Sequence, residues 1–220
     1  MQGGFPLDLI LFAMVAAFLV LRLRSVLGRR TGFERPPQEQ PAGSPPLVPG
    51  QAEAPPTPAA SGAKRGVPDP QSQLGQTLLA VRRQDPGFDP YGFLNGAEGA
   101  FRMIVEAFAR GDRATLQSLL SAEAYGGFEQ AIASREQAGQ TQRTELRAIH
   151  EAAIEGAELR GSVADITVRF VSDQVNLTMG PDGSVVHGAE AVTEITDFWT
   201  FQRDLSQSDP TWKLIATHAP

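Results

Sequence analysis

Hydrophobic and polar positions divide the chain into four regimes. The first is an unbroken apolar run from Leu9 to Leu21, bounded by Asp8 and Arg22. A helix packed in a soluble core needs a polar stripe, and this run has none on any face. With Phe5, Pro6, Leu7 and Leu23 it reaches the length of a short spanning helix. The pattern predicts a membrane span built on Leu9, Ile10, Leu11, Phe12, Val15, Phe18, Leu19, Val20 and Leu21. A cleaved export signal is the weaker alternative, because such signals carry their positive charge before the apolar stretch, and Met1 to Pro6 carry none. The basic residues come afterwards, at Arg22, Arg24, Arg29 and Arg30. Positive flanks stay on the cytoplasmic side, so the N-terminus is expected outside and the rest of the chain inside.

The second regime, over 31–71, is proline-rich and nearly devoid of large apolar side chains. It holds eleven of the seventeen prolines, so it cannot form a core and reads as a disordered linker. Stretched as polyproline at roughly 3.1 Å per residue it reaches on the order of 100 Å.

Helical spacing begins in the third regime. Over 72–90 an amphipathic leading segment carries Leu74, Leu78, Leu79 and Val81, and Arg82 and Arg83 close it, where cations suit a helix C-terminus. Such a segment can lie on a bilayer or dock on the domain that follows, and docking is the simpler expectation. A domain over 91–220 then starts with three helices. In the first, Phe93, Leu94, Ala97, Phe101, Ile104, Val105 and Phe108 recur at i, i+3, i+4 spacing, with Asp89 as cap, Pro90 at the first helical position and Gly111 at the end. Asp112 and Ser121 are placed to cap the next two.

From Thr144 the period shortens to two. Ala164, Ile166, Val168 and Phe170 alternate with Asp165, Thr167 and Arg169, the pattern of a strand with one wet face. The run 144–159 reads as a long strand with a bend near Gly156. Asp182 and Gly183 mark a hairpin between short strands over 174–179 and 184–187. A further strand carries Ile195, Trp199 and Phe201, and a last one Trp212, Leu214 and Ala216. Helices followed by a run of strands predict an α+β domain, three helices on a curved antiparallel sheet.

Charge narrows the range of partners. The net charge of −6 conceals nine basic against five acidic residues up to Gln84, and ten against twenty from Asp85 onward. A domain of net −10 is unsuited to nucleic acid, whose affinity comes from neutralised phosphates. The absence of cysteine excludes disulfides and thiolate metal sites.

Several stretches together, "RLRSVLGRRTGFERPP", "FDPYGFLNGAEGAFRMIVEAFARGD", "FEQAIASREQAGQ", "ADITVRFVS" and "DFWTFQRDLSQSDPTWKLIAT", resemble the family of subunit 44 of the mitochondrial inner-membrane import translocase, and within it the alphaproteobacterial adaptor branch. The resemblance covers the span with its basic flank and nearly everything after Gln71. It implies a cone-shaped domain, like that of nuclear-transport-factor-two-like proteins, with a large apolar pocket and amphipathic helices at its mouth. In mitochondria such a domain docks at the inner membrane, binds cardiolipin and tethers a chaperone to a translocon. Here the proline-rich linker stands in place of the long chaperone-binding region, so the adaptor role is what the resemblance carries over. The expected partners are the bacterial inner membrane and a protein such as a translocase or chaperone, with room for a lipid in the pocket.

Nothing in the sequence has the form of a catalytic or cofactor motif. His150, His187 and His218 are scattered without ligand spacing, so no metal site is expected. No phosphate-cradling glycine motif or nucleophile elbow is present, and no cofactor is expected. The nearest approach to chemistry is Asp197, on the strand face of Ile195 and Trp199, because domains of this shape also host proton-shuttling isomerases. The chain is therefore read as a non-enzymatic adaptor. The alternative is a membrane-tethered lipid or small-molecule binding domain with isomerase-like activity, and a deep cavity joining Asp197 to a second acid or to Tyr125 would mark it. The candidate binding residues are aromatic: Phe88, Tyr91 and Phe93 where the leading segment meets the domain, and Trp199, Phe201 and Trp212 on strands that could close a cavity.

Overall fold

The computed structural model describes residues 63–220. The predicted span, the four arginines and most of the linker lie outside these residues. Among the described residues no helix is long and apolar enough to cross a membrane.

The four helices are specified locally. In α1 (Gln73–Gln84), Ser72 Oγ accepts from the Gly75 amide at 3.0 Å and Arg82 and Arg83 occupy the last turn. Leu78 and Val81 are buried on its inner face, so the leading segment docks on the domain as a fourth helix. In α2 (Pro90–Arg110) Asp89 accepts from the Gly92 amide at 2.7 Å, and Pro90 supplies a preset φ at the first turn. Gly111 ends the helix at φ +70°, a left-handed conformation natural to glycine. Asp112 caps α3 (Arg113–Leu119) and Ser121 caps α4 (Ala122–Gln137). Arg135 on α4 donates to the terminal carbonyls of α2, Phe108 at 2.9 Å and Ala109 at 3.3 Å, with its guanidinium over the Phe108 ring. A cation there satisfies orphaned carbonyls and meets the helix dipole.

Strands β1 (Lys64–Gly66), β2 (Thr141–Arg160), β3 (Val163–Met179), β4 (Val185–Asp204) and β5 (Lys213–His218) form one sheet in chain order. The sheet is mixed, not purely antiparallel, because β1 runs parallel to β2 while the other pairs are antiparallel. The stretch forming β1 falls in the part read as linker; its few side chains form no pattern, and it is held by backbone pairing with Glu151–Ala153. The hairpin strands and the strand through Trp199 prove to be parts of two long ribbons, β3 and β4. Register shifts between Leu146/Ala148, Ile149/Glu151 and Ile154/Gly156 interrupt β2, the last being the bend expected near Gly156. Bulges of this kind bend and twist a strand.

The apolar face of α2 lies on β2 and β3. Phe101 stacks on Phe170 at 4.5 Å between ring centroids and meets Trp199 at 4.6 Å, and all three are buried. At the far end of the helical layer, the Ser121 amide donates to the Leu214 carbonyl at 2.9 Å, tying the α3–α4 junction to β5.

Candidate functional site

A hollow of about 380 Å³ opens between the first half of α2, the turn before it, the end of β4 and the segment leading into β5. Its base is aromatic. The rings of Phe93 and Trp212 meet edge to face at 4.9 Å, Phe93 and Phe201 at 6.1 Å, and Phe88 lies 5.9 Å from Trp212. Offset and edge contacts of this kind contribute about 0.5–1.5 kcal/mol beyond area burial. One wall is the small-residue edge of α2, where Gly92, Gly96 and Ala100 leave the helix backbone uncovered and Met103 stands 48% exposed at the end. A Cβ on Gly96 would meet nothing within 4 Å.

The turn that forms the rim is built by Asp85. Its carbonyl accepts from the Phe88 amide at 2.9 Å around Pro86, which suits the second position of a β-turn. Its carboxylate accepts from the Gly87 amide at 3.1 Å and from Arg203 Nη1 at 2.7 Å. Arg203 also donates from Nε to the Asp209 carbonyl at 3.2 Å. This pair is well shielded, with side chains 13% and 21% exposed. It locks the α1–α2 turn to the end of β4, which fixes Phe88 over Trp212. Asp209 in turn accepts from the Thr211 side chain and amide, which hold its carboxyl below the usual range. That order in the 209–211 loop positions Trp212.

Four of the six aromatics singled out by sequence, Phe88, Phe93, Phe201 and Trp212, line the hollow together. Tyr91 is 56% exposed and is not among the residues lining the hollow. Trp199 is outside the lining, buried against Phe101 and Phe170. Asp197 is half-buried opposite Phe170 in the β3–β4 register, and Tyr125 is half-buried on α4. Neither is among the residues lining the hollow. Sequence reasoning missed Gly92, Gly96, Asp85 and Arg203. The glycines were detectable as a four-residue spacing of small residues along a predicted helix, whereas nothing local links Asp85 to Arg203.

A family model for the Tim44-like domain matches residues 74–219. The chain belongs to the Tim44-like family. The match runs from α1 to the end of β5, so it includes the whole hollow, and β1 precedes it. No curated protein sequence matches the chain. Among solved structures, the intermembrane space region of chloroplast protein ARC6 is similar at 12% identity, with a TM-score of 0.43 over 57% of this chain and 94% of that one. A putative dehydratase from the NTF2-like family of Streptomyces avermitilis is similar at 17% identity, with a TM-score of 0.33 over 60% of this chain and 96% of that one. At these identities neither likeness assigns an activity.

Proposed function

We infer that this Tim44-like protein is a non-enzymatic adaptor. It is held in the bacterial inner membrane by Leu9–Leu21 with its domain on the cytoplasmic side. The domain captures an apolar segment of a partner protein during translocation or membrane-complex assembly. The observation that carries this reading is the hollow at the first half of α2: an aromatic base, a bare helix edge, and exposed Met103 at the end of that edge. Large rigid rings beside uncovered backbone give an incoming side chain contact area at low entropic cost. The charged residues of the lining are two carboxylates, Asp85 and Asp89, and one guanidinium, Arg203, which Asp85 already pairs, in a domain of net −10. An anionic lipid headgroup is disfavoured there, and an apolar segment flanked by basic residues fits.

The test is site-specific photocrosslinking in cells, with a crosslinker at Met103 and a control at Glu155 on the opposite face of the sheet. A discrete protein adduct from Met103, absent from Glu155 and lost in Gly96→Leu, is expected. Equal labelling from both positions would refute the adaptor site. Adducts to lipid alone would support the lipid-binding alternative. A reporter fused after Pro220 should be active only in the cytoplasm; activity in the periplasm would reverse the topology.

A further inference from the structure

The sheet face turned away from the helices carries charges in ordered sets. Arg169 on β3 lies between two carboxylates of β2, 2.9 Å from Glu151 and 2.9 Å from Glu155. Farther along the same strands the composition changes. Asp173 on β3 and Glu194 on β4 are direct cross-strand partners, and like charges opposed across antiparallel strands destabilise a sheet. The group that meets them is an imidazole, with His150 Nε2 lying 2.8 Å from Asp173 Oδ2. His150 sits at the register shift between Ile149 and Glu151. A bulge there takes it out of regular pairing and re-aims its side chain across the sheet. One ligand atom from each of His150, Asp173 and Glu194 lies within 4.8 Å of the others.

We propose that His150, Asp173 and Glu194 form a binding site for a divalent first-row transition ion, of which zinc is the representative. One imidazole with two carboxylates is a donor set that zinc accepts in tetrahedral sites, whereas calcium and magnesium prefer oxygen alone. Ligands at about 2.0–2.2 Å from zinc stand roughly 3.3 Å apart. The cluster reaches that spacing by side-chain rotation, since His150 and Glu194 are exposed, and the fourth position is left for water. The three ligands come from three adjacent strands held in register by their backbones. A bound ion would therefore cross-link β2, β3 and β4 just beyond the point where β5 stops covering β4, at Phe198. It would also neutralise the opposed carboxylates. The role that follows is a structural clamp on the distal half of the sheet, independent of the aromatic hollow on the other face.

Untagged full-length protein in detergent, freed of metal, is titrated with Co²⁺ and then with Zn²⁺. The d–d absorption of bound cobalt, its displacement by zinc, and thermal melting are followed. One equivalent of metal should bind in the micromolar range, with a melting temperature that rises with zinc. Each of His150→Ala and Glu194→Gln should weaken binding roughly tenfold or more and remove the thermal response, and His187→Ala should leave both intact. Glu194→Gln removes the charge opposition at an exposed position, so its metal-free form should melt no lower than the unaltered protein. Absence of binding at millimolar metal, or affinity unchanged in His150→Ala and Glu194→Gln, would overturn the site and leave the cluster a hydrogen-bonded pair with a neighbouring acid.

Discussion

Gly96→Leu separates the work of the hollow from the stability of the fold. Gly96 lies in the interior of α2, faces the hollow, and would place a Cβ in open space. Glycine in a helix interior costs about 1 kcal/mol relative to alanine, and leucine is nearly as good a helix former as alanine. With no clash at the Cβ to oppose it, the substitution should stabilise the domain by about 0.5–1 kcal/mol. For a domain of this size that raises the melting temperature by about 1–4 °C. The same leucine projects from the bare helix edge into the 380 Å³ space above Phe93 and Trp212. Excluding a partner side chain from a hot-spot pocket costs about 2 kcal/mol or more, roughly thirtyfold in affinity. The assay pairs thermal melting with crosslinking yield from Met103. Gly99→Ala is the control, since its Cβ also meets nothing within 4 Å and Gly99 is not part of the lining. It should share the thermal gain and leave capture unchanged. A Gly96→Leu protein that melts higher and still captures its partner fully would refute the role assigned to the hollow. One that melts lower would refute the open space beside the helix.

Arg203→Met should cost about 2–3 kcal/mol in urea unfolding, because it leaves a mostly shielded Asp85 carboxylate without its guanidinium; combined with Asp85→Asn, much of that loss should be recovered, and simple additivity would show the pair to be uncoupled. Stability should fall in acid. Asp204 illustrates the sign: the Ser206 hydroxyl and amide, with help from Ser162, hold its carboxyl at about 2 against an ordinary 3.8. Its contribution is therefore present above pH 3.8 and lost as pH falls to about 2, and Asp204→Asn should flatten that limb of the melting curve. Gly188→Ala should loosen the distal part of β4, since Gly188 has φ +83° and an added Cβ would lie 2.0 Å from the Asn176 carbonyl oxygen. A loss of about 1–3 kcal/mol should appear as faster amide exchange near Gly188 with α2 still protected, and unchanged exchange would contradict the geometry.

The parts of this fold legible in the sequence are those whose causes are local. Asp89, Asp112 and Ser121 each cap a helix through an amide three residues on. The apolar stripe of α2 follows from the helical period, and the alternation in β3 from the two-residue period of a strand. The aromatics of the hollow were recognisable because large rings clustered at both ends of the domain must be buried or used, but their division was not. Trp199 and Phe201 follow the same alternation, yet one packs against Phe101 and the other joins the hollow, because they meet α2 at different points along its length, Phe201 at Phe93 in the first turn and Trp199 at Phe101 farther on. Tertiary structure alone decided the rest. Pairing with Ala153 makes a strand of Gly66, whose own neighbours specify nothing, and the close approach leaves no room there for a Cβ. Arg203 meets Asp85 because β4 ends beside the α1–α2 turn, and three strands in register bring His150, Asp173 and Glu194 together. Spacing along the chain records periodicity and local hydrogen bonding; which distant side chains share a site depends on sheet register and helix placement, which no local period encodes.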